Sequence, residues 1–249
     1  MERRLDEDMN SAGPAIELRG VSKAYGTLRP LRIGHFALRQ GQTVALLGFD
    51  RAAAEVLVNL ITAATLPDAG EVEVFGSRTN HVTDFDAWVR LLDRFGILSE
   101  RVALIDELTV EQNLALPLSL EVDDMVPELR RRVGKIADEV GIGATERTRP
   151  MREAGALLRT RVRLGKALAL DPWVLLAEHP NAPVPPGELP RFSADLAAVA
   201  AQRGLAMLVL TADTAFAAAV CKHVLTLRPA SGELVQASRW NRWFARDGA

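Results

Sequence analysis

Residues 44–62 read VALLGFDRAAAEVLVNLIT and decide the fold class. The first four residues form an unbroken apolar run that ends at Gly48, which is typical of a strand buried on both faces of a parallel sheet. Further along, apolar side chains recur at helical spacing, at Val56, Leu57, Leu60 and Ile61. A buried strand, a short turn and an amphipathic helix are the repeating parts of an α/β domain.

The rest of the chain alternates short strand-like runs with longer helical ones, around a central stretch of helical character. We therefore predict an α/β fold over residues 14–236, with a mixed sheet core, an antiparallel β subdomain and a helical subdomain inserted at about residues 98–165. The predicted strands are residues 16–18, 33–38, 44–47, 71–75, 173–177, 205–211, 224–227 and 233–235, and the inserted helices are residues 109–118, 127–140 and 159–170.

Composition narrows the class of protein. The chain has 249 residues, of which 48% are hydrophobic and 25% charged, as in an ordinary globular protein. A net charge of −2 gives no reason to expect a nucleic-acid partner. Cys221 is the single cysteine, which favours a reducing compartment and excludes an internal disulfide. No apolar run reaches the ~18 residues of a membrane span, so we expect a cytoplasmic protein without direct membrane insertion.

Five segments, taken in order, resemble the ATP-binding subunits of ABC transporters. They are residues 21–26, 44–62, 68–76, 108–118 and 167–176. The resemblance implies an ABC-type P-loop nucleotidase fold. It also implies two partners, a transporter membrane subunit and a second ABC ATPase subunit, with ATP held between the phosphate loop of one cassette and the signature loop of the other.

The phosphate-loop region departs from the family pattern. Such a loop needs Gly where backbone N–H groups cradle phosphate, a Lys for the terminal phosphates and a Ser or Thr for Mg²⁺. Here Gly48 remains, but the other three positions hold Ala53, Ala54 and Glu55. Arg51 is either a solvated surface residue or a source of positive charge for phosphate.

The resemblance places further site positions along the chain. Tyr25 stands at the adenine-stacking position, or simply packs under a loop. The lid glutamine corresponds to Glu100, the acid pair to Glu178 and His179, and the switch histidine to Ala212. The signature loop corresponds to Ala154, Gly155, Ala156, Leu157 and Leu158. His179 is either a general base or a hydrogen-bonded structural residue.

These substitutions favour a structural or regulatory subunit of a transport complex that does not hydrolyse ATP and carries no cofactor. One alternative is an active ATPase that uses Mg-ATP, with Arg51 on phosphate, Glu178 on the metal and His179 as base. Another is a soluble scaffold without a transporter partner. No histidine or cysteine has metal-ligand spacing, so no metal site is predicted.

Residues 237–249 form a predicted C-terminal tail. Trp240, Trp243 and Phe244 have the i, i+3, i+4 spacing of one helical face. This spacing favours a short amphipathic helix that packs on the domain itself or on another subunit.

Overall fold

A computed structural model describes residues 13–26 and 30–236 of the chain. Its strands are β1 (Ile16–Lys23), β2 (Leu31–Leu38), β3 (Thr43–Leu47), β4 (Ala69–Val74), β5 (Ser77–Arg78), β6 (Phe95–Leu98), β7 (Val174–Glu178), β8 (Ala206–Leu210), β9 (His223–Arg228) and β10 (Glu233–Gln236). Its helices are α1 (Arg51–Ile61), α2 (Phe85–Leu92), α3 (Val110–Ala115), α4 (Pro127–Glu139), α5 (Ala144–Arg147), α6 (Ala156–Leu168), α7 (Leu189–Gln202) and α8 (Thr214–Val220). Short 3₁₀ turns lie at Thr79–His81 and Met151–Glu153.

The strands form two sheets. The larger sheet has the order β10-β9-β3-β8-β7-β6, and its neighbours are parallel except for the antiparallel pair β9–β10. The smaller sheet, β2-β1-β4-β5, is antiparallel throughout. The predicted mixed sheet, antiparallel β subdomain and inserted helices are thereby confirmed.

Successive side chains of the central strands point to opposite faces of the large sheet and pack into two separate apolar clusters. In β3, Ala45 and Leu47 face one cluster, whereas Val44 and Leu46 face the other, as the two-residue period of a strand requires. The first cluster is completed by α7, α8 and the inserted helices, and the second by α1 and the small sheet. The large sheet is therefore covered on both faces, which explains its continuous apolar strands.

The inserted helices α3 to α6 follow β6 and lead back into β7. They pack closely at Gly165 of α6, where a Cβ atom would lie 2.4 Å from Cδ2 of Leu114 in α3. Arg203, after α7, donates from Nε at 2.5 Å and from Nη2 at 2.6 Å to the carboxylate of Glu139 in α4. That two-point ion pair ties the insert to the sheet.

Five elements of the described chain were not predicted from the sequence: the helices α2, α5 and α8 and the short strands β5 and β6. The predicted helix at residues 159–170 begins earlier, at Ala156, and ends at Leu168. The limits of the domain at 14–236 stay a prediction, and the tail with Trp240, Trp243 and Phe244 lies outside the described residues. Within residues 13–26 and 30–236, no helix combines the length and apolarity needed to cross a membrane.

Candidate functional site

The carboxyl ends of the parallel strands gather the candidate residues. Gly48 follows β3, Glu178 ends β7, and Ser99 follows β6, in a sheet whose order is β3-β8-β7-β6. Open α/β sheets bind ligands at this edge. The phosphate-loop and acidic-strand positions of the resemblance therefore lie at the same edge of one sheet.

The segment predicted as a phosphate loop is mostly helix. Helix α1 begins at Arg51, so Ala53, Ala54 and Glu55 lie inside it. Asp50 is the N-cap, and its side chain accepts a 2.7 Å hydrogen bond from the backbone N–H of Ala53. The N–H of Ala54 donates to the carbonyl of Asp50 at 2.9 Å. The Lys and Ser/Thr positions of the resemblance therefore lie in the first turns of a helix whose start is already capped by a carboxylate.

The turn before this helix is packed against the core. Gly48 has φ +90°, a left-handed conformation that glycine adopts without strain. The next residue, Phe49, is 2% exposed, and Ala53 and Ala54 are 6% and 0% exposed. These three side chains belong to the apolar cluster under α1. The inner side of the turn is thus filled with apolar atoms.

Arg101 joins two acids from different elements. Its Nε donates to Oε2 of Glu178 at 3.0 Å, and its Nη2 donates to Oε1 of the same carboxylate. Its Nη1 lies 3.3 Å from Oε1 of Glu55 in α1. Ser99 Oγ adds a 2.8 Å hydrogen bond to Oε2 of Glu178. The hydrogen bonds that Arg101 donates to Glu178 raise the pKa of its guanidinium, so its charge is fixed.

A second ion pair lies beside this group. Nη2 of Arg51 is 2.9 Å from Oε2 of Glu100, and the Arg51 side chain is 75% exposed. The residue at the lid-glutamine position is thereby paired with the first residue of α1. Both members face solvent, so the pair contributes little to stability, about 0–1 kcal/mol.

The segment after Glu100 is fixed to the inserted helices at successive residues. Arg163 Nε donates to the carbonyl of Val102 at 3.1 Å, and Lys166 Nζ donates to the carbonyl of Ala103 at 2.9 Å. Burial lowers the pKa of both Arg163 and Lys166. These two cations of α6 therefore hold a connecting segment in place.

Asn113 of α3 completes the attachment of that segment. Its side-chain oxygen accepts from the N–H of Ile105 at 2.8 Å, and its amide nitrogen donates to the Ile105 carbonyl at 2.9 Å. Arg159 Nη2 lies 2.6 Å from Oδ1 of Asp106. Residues 101–106 thus contact the sheet at one end and the inserted helices at the other.

His179 follows Glu178 in a strained conformation. Its φ is +44°, and its backbone N–H donates to the carbonyl of Leu210 at 2.8 Å. Its Nε2 is buried and has no hydrogen-bond partner among the described residues. It lines a cavity of about 10 Å³ beside Glu178, Ser99 and Arg163, which is close to the least space that can hold one water molecule.

The signature-loop position is also partly helical. Ala156, Leu157 and Leu158 lie in the first turn of α6, for which Gly155 is the N-cap. Leu158 is 7% exposed and joins the apolar cluster with Ala154. Of the five residues at the signature-loop position, only Gly155 is fully exposed.

The remaining two predicted positions are Ala212 and Tyr25. Ala212 is exposed between β8 and α8, and its neighbour Thr211 hydrogen-bonds Oδ1 of Asn181 at 2.9 Å. Tyr25 is partly buried and packs against the apolar cluster under the small sheet.

Sequence reasoning missed Ser99 and Arg101, and their partner Glu178 lies 77 or more positions away. In the described part of the chain, no group of three acids, histidines or cysteines is arranged for a metal ion.

Comparison with known proteins points to one family. Residues 31–182 match the family model described as ABC transporter. The phosphonates import ATP-binding protein PhnC of Anaeromyxobacter dehalogenans is 34% identical over 199 residues, which are 76% of this chain and 38% of that protein. The octopine permease ATP-binding protein P of Rhizobium meliloti is 26% identical over 96% of this chain and 98% of its own length. The chain thus spans under half of the first relative and nearly all of the second.

Solved structures share the fold. CbiO1 from Clostridium perfringens, part of the cbiONQ ABC transporter complex, has a TM-score of 0.76 at 18% identity over 94% of this chain and 92% of its own. The dimeric ABC transporter cassette MJ0796 has a TM-score of 0.72 at 22% identity, over 88% of this chain and 96% of its own. The predicted ABC-type fold is confirmed, and the chain belongs to the ABC transporter family of ATP-binding domains.

Proposed function

We propose that this chain is a subunit of a membrane transport complex that neither binds Mg-ATP tightly nor hydrolyses it, and that acts as a structural or regulatory unit on the cytoplasmic side. The observation that carries the proposal is the start of α1. There the carboxylate of Asp50 bonds the N–H of Ala53, a group that a phosphate would otherwise use.

Charge supports the proposal. A phosphate about 4 Å from a carboxylate is repelled by roughly 4 kcal/mol per unit charge at an effective dielectric of 20. Asp50 and Glu55 both lie at this helix, and the Lys position is held by Ala54, which is 0% exposed. The residues present therefore fit a triphosphate and its magnesium ion poorly.

The active-ATPase alternative depends on Arg51, Glu178 and His179, and none of the three is placed for its role. Arg51 pairs with Glu100, and Glu178 pairs with Arg101. His179 Nε2 is enclosed beside a cavity of about 10 Å³, which leaves space for about one water. We infer that Arg51 does not bind phosphate, that Glu178 does not bind a metal ion, and that His179 does not act as a base.

A groove beside α2 supports a membrane partner for this chain. A groove of about 270 Å³ is lined by Val58, Trp88, Leu92, Ile97 and Val102, among others. Helix α2 has no buried residue along its length, although its apolar side chains share one face. An amphipathic helix of a membrane subunit would cover that face, and the names of the relatives, import and permease proteins, agree with such a partner.

ATP turnover by the purified chain tests the inactive part of the proposal. We expect release of phosphate from Mg-ATP to equal that of a blank without protein, and to be the same in wild type and His179→Ala. A hydrolysing relative with an intact phosphate loop serves as the positive control. Turnover above the blank that is lost in His179→Ala would establish the active-ATPase alternative instead.

Membrane association in the source cells tests the transport part. Leu92→Glu places a charge in the groove, whereas Val126→Glu places one on an exposed residue of the connection between α3 and α4. We expect the groove variant to leave the membrane fraction and the control variant to stay there. Equal sedimentation of wild type and Leu92→Glu, or no sedimentation of wild type, would favour a scaffold without a transporter partner.

A further inference from the structure

Arg101 lies at the meeting point of three parts of the fold. Its guanidinium contacts Glu55 in α1 and Glu178 at the end of β7, while its own backbone begins the segment that leads from β6 into the inserted helices. Glu178 is 7% exposed, whereas the side chain of Arg101 is 43% exposed and that of Glu55 48%. One cation therefore links a buried acid, a surface acid and a connecting segment.

The other nearby cations are engaged elsewhere. Arg51 pairs with Glu100, and Arg163 donates to the carbonyl of Val102. Among residues 13–26 and 30–236, Arg101 is the cation paired with Glu55 and with Glu178. Without its guanidinium, Glu55 and Glu178 would both lose their ion-pair partner, and Glu178 would remain as a charged acid enclosed by protein.

Two carboxylates and a hydroxyl at one point are the groups that a hard divalent cation accepts, with water in its remaining positions. Here Glu55 and Glu178 both pair with the guanidinium, and the hydroxyl of Ser99 donates to Glu178. The planar fork of arginine meets the Glu178 carboxylate at two points, which an ammonium group cannot do. The side chain thus supplies both the charge and the fixed geometry.

We propose that Arg101 does the work of a bound divalent cation: it neutralises Glu55 and Glu178 and holds residues 101–106 between the sheet and the inserted helices without metal or nucleotide. The inference rests on the proposed function, since a chain that used these acids for Mg-ATP would have to release Arg101. It assigns this arginine a positioning role.

Replacement of Arg101 by glutamine tests the inference through cation rescue. We expect Arg101→Gln to lower Tm by about 5 °C, because it leaves an enclosed acid unpaired. Mg²⁺ or Ca²⁺ at about 10 mM, above the Kd of weak calcium modules, should restore roughly half of that loss. The wild type should not respond to either ion. Arg131→Gln, which removes an exposed pair with Glu128, is the matched control and should show neither effect.

Removal of the acid provides a second test that does not need the first variant to fold. We expect Glu178→Gln to speed hydrogen exchange at residues 101–106, and Arg101→Gln to cost little in that background. An unchanged Tm in Arg101→Gln, a loss that neither ion restores, or unchanged exchange in Glu178→Gln would overturn the inference. ATP turnover by the wild type would instead overturn the proposed function, whatever these variants show.

Discussion

The guanidinium of Arg101 and the carboxylate of Glu178 form a two-point ion pair that spans the carboxyl ends of β6 and β7. Since Glu178 is 7% exposed, its negative charge is compensated mainly by protein groups. The same arginine reaches Glu55 at 3.3 Å. The charged side chains of Arg101, Glu178 and Asp50 therefore lie at the carboxyl edge of the large sheet, where a ligand would bind in other open α/β sheets.

Loss of the Asp50 side chain should destabilise the fold without creating a nucleotide site. Asp50→Ala removes the 2.7 Å bond to the N–H of Ala53, and the loss of an N-cap costs about 1 kcal/mol. Asp50→Asn keeps an acceptor and should lie close to wild type. Urea denaturation measures both, with Asp84→Ala as the matched control, because Asp84 caps α2 through an equal 2.7 Å bond. An Asp50→Ala variant as stable as wild type would contradict the assigned cap.

The backbone conformation of His179 predicts a difference between two substitutions. Its φ of +44° is left-handed, a conformation that costs most residues about 1–2 kcal/mol but asparagine less. His179→Asn should therefore be more stable than His179→Ala by about 0.5–1 kcal/mol. Thermal or urea unfolding decides this. Equal stability of the two variants would contradict the strained backbone, and a difference in ATP turnover between them would contradict the structural role.

Burial of Cys221 predicts a pH-dependent stability difference. Burial raises the pKa of its thiol to about 12, whereas a thiol in the unfolded chain titrates near 8.5. Below about pH 8.5 the thiol is protonated in both the folded and the unfolded chain, so the full stability of the folded chain is present. Between about pH 9 and 12 only the unfolded chain ionises, and stability falls by about 1.4 kcal/mol per pH unit.

The measurement for Cys221 compares wild type with Cys221→Ala by urea unfolding at pH 8, 9.5 and 10.5. Other titrating groups are common to both proteins, so they cancel in the difference. We expect the difference in unfolding free energy to be constant near pH 8 and to shift against the wild type as pH rises. A difference that stays the same over the whole range would contradict the buried thiol.

The scaffold was predictable because its signals are local. The apolar run at residues 44–47 gave β3, and apolar spacing identified the buried face of α1. The terminal pair was predicted at residues 224–227 and 233–235, and it forms as β9 and β10. Asp50, directly before the helix-forming run at residues 51–54, is an N-cap signal of the same local kind.

The contacts of the site were not predictable from the sequence. Arg101 and Glu178 are 77 positions apart, and Arg101 and Glu55 are 46 apart. No periodicity or spacing links such residues, since only the packing of β6, β7 and α1 brings them together. Short elements were missed for a related reason: β6 has four residues, too few for a period to be recognised.

A titration of the purified chain with Mg-ATP, followed by thermal unfolding, tests the central claim most directly. A ligand at 100 times its Kd stabilises a native protein by about 2.7 kcal/mol, which for a chain of this size raises Tm by roughly 5–10 °C. The account predicts no change in Tm at about 1 mM Mg-ATP, which is 100 times a Kd of about 10 μM. A saturable rise of about 5 °C or more would contradict it.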